Sequence, residues 1–170
     1  MPFSLLPKVR CQALTELTPA FLESRGVLLL MLDFDNTIVP YITNEPTPEM
    51  ASWLEAMVAS PIRLCVVSNS KRDRVKIFCK QYGLDCITHA RKPFSKGISE
   101  CLAKYGLQPG QCAIAGDQIF TDTLGGNCAG LTTILVKPIN NHNFWLKARH
   151  VLEQPFILMA NNRRISHEEH

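Results

Sequence analysis

Four of the six aspartates in the 170-residue chain form two clusters, Asp33 with Asp35 and Asp117 with Asp122. Each cluster follows a short apolar run that is typical of a buried strand. Carboxylates that gather at one place repel one another unless a cation is bound, and an all-oxygen ligand set favours Mg²⁺. The clusters therefore predict a magnesium site. The alternative role is capping of helix N-termini, above all for Asp122.

Two further segments carry groups that suit phosphate. Ser68 and Asn69 follow the second apolar run, where a hydroxyl, backbone N–H groups and the start of a helix can cradle phosphate oxygens. Lys92 follows the third run and can offset the negative charge of carboxylates and phosphate. Taken alone, Ser68 and Asn69 are equally typical of a helix cap, and Lys92 is equally typical of a solvated base. Because they follow successive strands, together they predict a site for phosphoryl transfer.

These groups need a scaffold that brings strand ends together. From Val27 onward, short apolar runs alternate with amphipathic stretches, which is the pattern of strands buried on both faces and covered by helices. The predicted strands cover residues 27–33, 63–68, 85–90, 111–115 and 131–136. Strands joined by helices require right-handed crossovers. The predicted fold class is therefore α/β, a doubly wound and mainly parallel five-stranded sheet flanked by helices, which binds ligands at the carboxyl ends of its strands.

Local signals place the helices between these strands. Thr47, which is followed by proline, is expected to be the N-cap of the helix after the first strand. The next helix is expected to begin near Ser70 and to be stopped by Gly83. Ser95 is expected to cap the helix after the third strand.

Length and composition narrow the class of protein further. The length fits a single domain over residues 1–170, with a core at 27–136 and terminal appendages. The net charge of +3 is too weak to indicate nucleic-acid binding. The longest apolar run is far below the roughly 20 residues that cross a bilayer, so no transmembrane helix or signal peptide is expected. Seven cysteines without a CxxC pair predict buried thiols in a reducing, cytoplasmic compartment.

Four segments form an ordered set of motifs. Residues 33–37 read DFDNT, residues 116–122 read GDQIFTD, and Ser68 and Lys92 lie between them. In order and strand context this set resembles the DxDxT, Ser, Lys and GDxxxxD motifs of the haloacid dehalogenase (HAD) superfamily of phosphohydrolases. The resemblance covers residues 27–136. The local sequences in these residues are similar to those of the YqeG-type branch of that superfamily, which includes phosphatidylglycerophosphate phosphatases.

The resemblance implies a role for each aspartate. Asp33 would attack the phosphoryl group and form an aspartyl-phosphate, while Asp35 would protonate the leaving alcohol and later activate water. Mg²⁺ would be held by Asp33, by the backbone carbonyl of Asp35 and by Asp117. Asp122 would order a water or lie behind these ligands.

The resemblance also implies how phosphate is bound. Ser68 and the Asn69 N–H would hold phosphate oxygens, and Lys92 would neutralise charge beside Asp33. Lys96 is the alternative lysine for that role, but its place in the first turn of a predicted helix favours a solvated side chain.

The spacing between the motifs bears on the substrate. Residues 37–47 and 70–91 are too short to contain a cap domain, so an open site is expected. Such a site favours a large or membrane-displayed phosphorylated substrate, foremost phosphatidylglycerophosphate. A nucleic-acid 3′-phosphate or a phosphoprotein is the alternative, and a non-catalytic phosphate-binding scaffold is a further one. The C-terminal run 144–160, with Lys147 and Arg149, suits either peripheral membrane contact or docking on the core.

Overall fold

A parallel sheet forms the centre of the computed structural model, which describes residues 4–71 and 73–139. Its six strands are β1 Val9–Cys11, β2 Leu29–Leu32, β3 Arg63–Val67, β4 Asp85–Ile87, β5 Cys112–Gly116 and β6 Thr132–Val136. Their spatial order is β1-β6-β5-β2-β3-β4, and every neighbouring pair is parallel. The predicted α/β class with a doubly wound parallel sheet is confirmed.

The sheet has one strand more than the five expected from the sequence. The N-terminal segment, predicted to be an appendage without strand structure, supplies β1, which pairs with β6 at the edge of the sheet. The Asn127 side chain holds the residues before it, donating hydrogen bonds to the carbonyls of Ser4 at 2.8 Å and Leu6 at 3.0 Å. Only Val9 and Cys11 of this strand are buried. Two apolar positions are too few to show a strand period in the sequence.

The described helices occupy the crossovers between strands and the segments that flank them. They are α1 Pro19–Glu23, α2 Pro48–Val58, α3 Arg74–Gln81, α4 Lys96–Tyr105 and α5 Leu124–Ala129, and a π-helix, Ile119–Thr123, directly precedes α5. Thr47 caps α2 as predicted, because its hydroxyl accepts a hydrogen bond from the Met50 N–H at 3.2 Å. Proline at the first position of α2 loses no hydrogen bond there, since that N–H has no partner within a helix.

The start of α3 and the cap of α4 differ from the sequence expectation. α3 begins at Arg74 rather than near Ser70, whose N–H instead donates to the Ser68 hydroxyl at 3.1 Å in the loop after β3. Ser95 stands at the N-cap position of α4 but has helical backbone angles and makes no capping hydrogen bond through its side chain. The end of α3 is as predicted, since Gly83 follows it with a φ of +65° that a side chain would disfavour.

Apolar side chains on both faces of the sheet form two layers of core. Successive residues of β2 point to opposite faces, so Leu30 packs with the layer beneath α2 and α3, and Met31 with the layer beneath α4. Leu54 of α2 and Phe78 of α3 belong to the first layer, and Ile98 of α4 belongs to the second. Every residue of β2 is buried, which agrees with a continuous apolar run in the sequence.

The predicted burial of the cysteines is confirmed for five of the seven thiols, and the reducing compartment stays a prediction. Cys86 is half-buried and Cys128 is exposed. Burial raises the pKa of Cys112 to about 11 and that of Cys11 to about 12, which keeps these thiols protonated and unreactive. The buried cysteines are Cys11, Cys65, Cys79, Cys101 and Cys112.

The connections at the carboxyl edge of the sheet are short. One loop and α2 link β2 to β3, and one loop and α3 link β3 to β4, so these crossovers contain no cap domain. No helix within the described ranges is long and apolar enough to cross a bilayer. The C-terminal run 144–160, with Lys147 and Arg149, lies outside the described residues. The extent of the domain over residues 1–170 stays a prediction.

Candidate active site

Three buried carboxylates meet at the carboxyl edge of the sheet. Asp33 directly follows β2, and its N–H donates to the Ala115 carbonyl of β5 at 2.9 Å, which extends the strand pairing. Asp117 directly follows β5, and Asp122 lies on the π-helix. Oxygen atoms of the three carboxylates lie within 4.8 Å of one another. The structure thus brings together three of the four aspartates that the sequence proposed for a metal.

Gly116 makes room for Asp122. A Cβ atom on this glycine would lie 2.2 Å from Asp122 Oδ2, a distance that atoms in contact do not reach. The Gln118 N–H donates to the same oxygen at 3.3 Å, and the wider turn of the π-helix carries the carboxylate back over the strand end. The glycine of the fourth motif therefore has a packing role as well as a place in the turn.

Lys92 bridges two of the three carboxylates. Its Nζ lies 2.7 Å from Asp33 Oδ1 and 2.6 Å from Asp122 Oδ1, and its side chain is 1% exposed. Burial opposes the charge on this lysine, but the adjacent Asp122 and Asp33 carboxylates outweigh burial and raise the pKa of Lys92. Lys96, the alternative lysine, is exposed at the start of α4. The structure places Lys92 against Asp33.

Asn69 holds the loop that carries Lys92. Its side-chain Oδ1 accepts from the Lys92 N–H at 2.7 Å, and its Nδ2 donates to the Lys92 carbonyl at 2.9 Å. The sequence proposed only the backbone N–H of Asn69, as a donor to phosphate. The paired side-chain contacts are an additional role, which the asparagine performs because its amide carries a donor and an acceptor side by side.

Ser68 lies at the end of β3, between the loops that carry the other groups. It is 1% exposed, and its backbone carbonyl accepts from the Ala90 N–H at 3.0 Å. Its hydroxyl accepts from the Ser70 N–H, which fixes the direction of the side chain. These contacts position the hydroxyl at the same strand-end edge as Asp33, as the motif order implied.

Asp35 lies beside the three-carboxylate group rather than within it. Its side chain forms an ion pair with Arg74, the first residue of α3. The Arg74 guanidinium also donates to the carbonyls of Tyr41 at 3.0 Å and Thr43 at 2.9 Å. Arg74 therefore ties Asp35 to the loop that follows the first motif. The sequence proposed that Asp35 contacts the metal through its backbone carbonyl. The ion pair of the Asp35 side chain with Arg74 is compatible with that contact.

Arg74 is a site residue that sequence reasoning missed. A cation in the first turn of a helix is disfavoured by the helix dipole, so the position of Arg74 is a signal that the side chain has another partner. That signal was not available from the sequence, because the helix was expected to begin nearer Ser70. The true boundary places Arg74 at the carboxyl edge, opposite Asp35.

The electrostatics of the group favour a bound cation. Burial raises the pKa of Asp122 to about 6; Lys92 acts against this rise, and the nearby charge of Asp33 adds to it. One lysine offsets the charge of only one carboxylate when all three are ionised. Carboxylate oxygens are hard ligands. A set of only three carboxylates suits Mg²⁺, because this ion keeps several waters and also binds substrate phosphate. The donor set of Asp33, Asp117 and Asp122 therefore fits a divalent cation.

Comparison with known proteins agrees with this geometry. A family model described as HAD-hydrolase-like matches residues 89–148. The chain is 37% identical to the probable phosphatase YqeG of Bacillus subtilis over 134 residues, which cover 79% of this chain and 78% of that protein. It belongs to the HAD-type phosphatases, the family of that relative. Members of this family generally use a divalent metal, in agreement with the carboxylate group.

Solved structures share the fold at low sequence identity. The cobalt-bound deoxy-D-mannose-octulosonate 8-phosphate phosphatase of Haemophilus influenzae has a TM-score of 0.53 at 11% identity, covering 74% of this chain and 75% of that chain. A structure from Legionella pneumophila, described as a hydrolase of HAD subfamily III A, has a TM-score of 0.52 at 16% identity, covering 75% and 73%. At these identities the likeness concerns the fold alone.

Proposed function

We propose that this phosphatase is a Mg²⁺-dependent phosphomonoester hydrolase that works through an aspartyl-phosphate on Asp33. The observation that carries the proposal is the group of three buried carboxylates with Lys92 between two of them. Such a group holds a divalent cation and a nucleophilic carboxylate at one place. Asp33 and Asp117 would hold Mg²⁺ with the backbone carbonyl of Asp35, and Asp122 would support them. The bound ion would neutralise the charge of the phosphoryl group.

The reaction takes place in two steps. A carboxylate oxygen of Asp33 attacks the phosphorus atom and the bond to the substrate oxygen breaks. Asp35, which must carry a proton at this step while Arg74 contacts its Oδ1, donates that proton to the leaving alcohol. Asp35 then accepts a proton from a water molecule that attacks the aspartyl-phosphate, which releases inorganic phosphate and restores Asp33. Lys92 places positive charge beside the attacking carboxylate throughout.

The remaining groups bind the phosphoryl oxygens. The hydroxyl of Ser68 and the N–H of Asn69 are the proposed donors, and Asn69 also fixes the Lys92 loop through its side chain. Both donors follow β3, and the Ser70 and Ala90 N–H groups hold Ser68 in place, so the donors need little rearrangement when phosphate binds. The presence of both Asp33 and Asp35 argues against a non-catalytic phosphate-binding scaffold, since loss of either would be the simplest route to inactivity.

The substrate that we propose is phosphatidylglycerophosphate. The short crossovers leave the carboxyl edge without a cap domain, which suits a phosphate displayed on a large assembly. The resemblance of the motifs to the YqeG-type branch supports a lipid phosphate in particular. A nucleic-acid 3′-phosphate and a phosphoprotein present a phosphate in the same open manner and are the alternatives.

Phosphate release from three substrates tests the proposal. We expect the intact protein with Mg²⁺ to have a higher kcat/KM for phosphatidylglycerophosphate than for p-nitrophenyl phosphate or a 3′-phosphorylated oligonucleotide. Undiminished turnover after exhaustive chelation would contradict the metal, and a preference for the oligonucleotide would contradict the substrate.

Two variants in the same assay test the roles of the aspartates. Asp33→Asn should abolish both turnover and covalent phosphorylation. Asp35→Asn should lower kcat roughly 10²- to 10⁴-fold for alkyl phosphates, and less for p-nitrophenyl phosphate, whose leaving group needs no proton. An equal loss on both substrates would contradict the role of Asp35 as the acid.

A further inference from the structure

Exposed apolar side chains lie on the loops at the carboxyl edge of the sheet, the edge that carries the candidate active site. Among the described residues, Ile42 is 80% exposed and Phe94 is 74% exposed, and Tyr41 and Ile139 are 38% and 39% exposed. All four lie on segments that leave the carboxyl ends of strands, after β2, β4 and β6. We call Tyr41, Ile42, Phe94 and Ile139 the entrance rim. Exposure of large apolar side chains near a functional site is typical of a contact surface.

Asn36, in the same motif as Asp33, fixes two residues of the entrance rim. The Tyr41 N–H donates to Asn36 Oδ1 at 3.0 Å, and the Ile139 N–H donates to the Asn36 carbonyl at 2.9 Å. Phe94 lies two residues after Lys92, the lysine that contacts Asp33. Backbone hydrogen bonds and chain connectivity therefore tie the segments of the entrance rim to the loops that carry Asp33 and Lys92.

Exposed bases outnumber exposed acids on the described loops at this edge. Lys71, Arg91 and Lys96 are exposed on the loops after β3 and β4 or at the first residue of α4. The exposed acids of the loops after β2 and β3 are Glu45 and Asp73, and Asp73 already has Lys76 at 3.9 Å. Apolar side chains beside exposed bases are the combination that binds an anionic bilayer, because the bases attract the headgroups while the apolar groups enter the acyl boundary.

We propose that the entrance rim docks on the surface of an anionic phospholipid bilayer, with Ile42 and Phe94 inserted and Lys71, Arg91 and Lys96 at the headgroups. The inference rests on the proposed lipid substrate, whose phosphate would then face Asp33 without leaving the membrane. A second copy of the chain fits this surface poorly, since the same basic loops would face each other and repel.

Co-sedimentation of the intact protein with vesicles tests the docking surface without relying on catalysis. The vesicles contain phosphatidylcholine alone or phosphatidylcholine with phosphatidylglycerol, which lacks the reactive phosphate. We expect binding to the anionic vesicles, and a roughly 10-fold or larger fall in the ratio of bound to free protein when Ile42→Ser and Phe94→Ser are combined. Val58→Ser is the matched control, because Val58 is 48% exposed at the end of α2, away from the site. It should bind as the intact protein does.

A second pair of variants tests the basic loops. Lys71→Gln with Lys96→Gln should weaken binding to anionic vesicles roughly 10-fold and leave any binding to phosphatidylcholine unchanged. Absence of binding by the intact chain, or an equal effect of Val58→Ser, would overturn the docking surface. Sedimentation showing self-association that the Ile42 and Phe94 changes abolish would also overturn it, by assigning the rim to a contact between copies.

Hydrolysis of phosphatidylglycerophosphate in detergent micelles separates the two proposals. A protein that hydrolyses this lipid in micelles but does not bind vesicles has the proposed substrate without the docking surface. A protein that binds anionic vesicles through the rim but does not hydrolyse the lipid has the docking surface without the proposed substrate.

Discussion

Two cations of the site are held in different ways at the scale of single residues. Lys92 is enclosed by Asp33 and Asp122 and is 1% exposed, whereas the Arg74 side chain is 12% exposed and pairs with Asp35. A buried lysine is unfavourable without carboxylate partners, and buried carboxylates are unfavourable without a cation. Lys92 therefore stabilises the group of carboxylates, in addition to the role that we propose for its charge beside phosphate.

Replacement of Lys92 by methionine should destabilise the fold as well as abolish activity. The Lys92→Met change leaves two buried carboxylates without their partner, for which we expect a loss of about 3–5 kcal/mol in the free energy of unfolding. Urea unfolding in the presence of a chelator measures this loss. Lys96→Met is the matched control at the exposed lysine four residues later, and it should change stability by less than about 0.5 kcal/mol. Equal effects of the two changes would contradict the assignment to Lys92.

Replacement of Arg74 by methionine should affect turnover more than stability. Arg74→Met releases Asp35 from the loop at Tyr41 and Thr43, and a misplaced acid costs about 10²-fold in kcat. Arg74→Lys keeps the charge but lacks the planar fork, so it should recover only part of this loss. Lys76→Met, at a 63% exposed side chain on the same helix, is the control. Steady-state kinetics that show a change in KM alone would contradict a positioning role.

The strand ends and the short helices that follow them set the geometry at the scale of elements. β5 ends at Gly116, and the π-helix that follows within three residues returns Asp122 to the strand end. Close approach of the Asp122 carboxylate to the backbone of Gly116 is what allows one turn to supply two carboxylates to the site. A residue with a side chain at this position would separate them.

Gly116→Ala should therefore disrupt the carboxylate group. The added methyl would lie 2.2 Å from Asp122 Oδ2, so the π-helix must shift, at a cost of about 1–3 kcal/mol in stability. Isothermal titration with Mg²⁺ should show weakened binding. Gly110→Ala is the matched control, since a Cβ atom there meets nothing within 4 Å. Unchanged Mg²⁺ affinity in the Gly116→Ala protein would show that Asp122 is not needed for the ion.

A second contact between elements predicts a pH dependence of stability. Lys104 at 2.7 Å and the Tyr105 hydroxyl at 2.6 Å, both on α4, lower the pKa of Asp85 on β4. Because the folded protein holds Asp85 ionised more firmly than the unfolded chain does, this stabilisation is present above about pH 4 and is lost as the pH falls further. Asp85→Asn should therefore lower stability at neutral pH by more than it does near about pH 3.

Urea unfolding at the two pH values measures that difference. Asp73→Asn is the control, since the Asp73 side chain is 85% exposed and its neighbour Lys76 lies 3.9 Å away. It should have little effect at either pH. A destabilisation by Asp85→Asn that is constant with pH would contradict an electrostatic origin.

The parallel sheet unites the site at the scale of the whole molecule. β5, β2, β3 and β4 are neighbours in the sheet, and all their carboxyl ends lie at one edge. Asp117, Asp33, Ser68 and Lys92 follow these four strands in that spatial order. Asp33 and Asp117, which are 84 positions apart in the sequence, therefore belong to one group of carboxylates. The described crossovers contain no cap over this edge, and the entrance rim lies on loops that leave it.

Binding of Mg²⁺ should stabilise the whole fold. The ion relieves repulsion among carboxylates that only the folded chain brings together, so a concentration of about 100 times Kd should add about 2.7 kcal/mol to the free energy of unfolding. Thermal unfolding with MgCl₂ or with KCl at equal ionic strength measures the effect. Asp117→Asn should remove most of the stabilisation by Mg²⁺. Equal stabilisation by the two salts would instead indicate general screening of charge.

Much of the site could be predicted because its residues lie directly after recognisable strands. Apolar runs located β2 to β6, and Asp33, Ser68 and Asp117 each follow a strand end within one residue. The contacts of Arg74 and of the Asn69 side chain could not be predicted in this way. They depend on where α3 begins and on how the loop at Lys92 folds, neither of which has a periodic signal.

The sequence by itself determined the fold class, the order of the motifs and the short crossovers that leave no room for a cap. These features depend on local patterns of apolar, capping and polar residues, which are readable along the chain. Only the tertiary structure decided which charges are partners, separating Asp35 with Arg74 from Asp33 and Asp122 with Lys92. It also placed the N-terminal strand in the sheet and left Ile42 and Phe94 exposed on loops at the carboxyl edge. Such pairings are decided by distances between residues far apart in the chain, which no local pattern encodes.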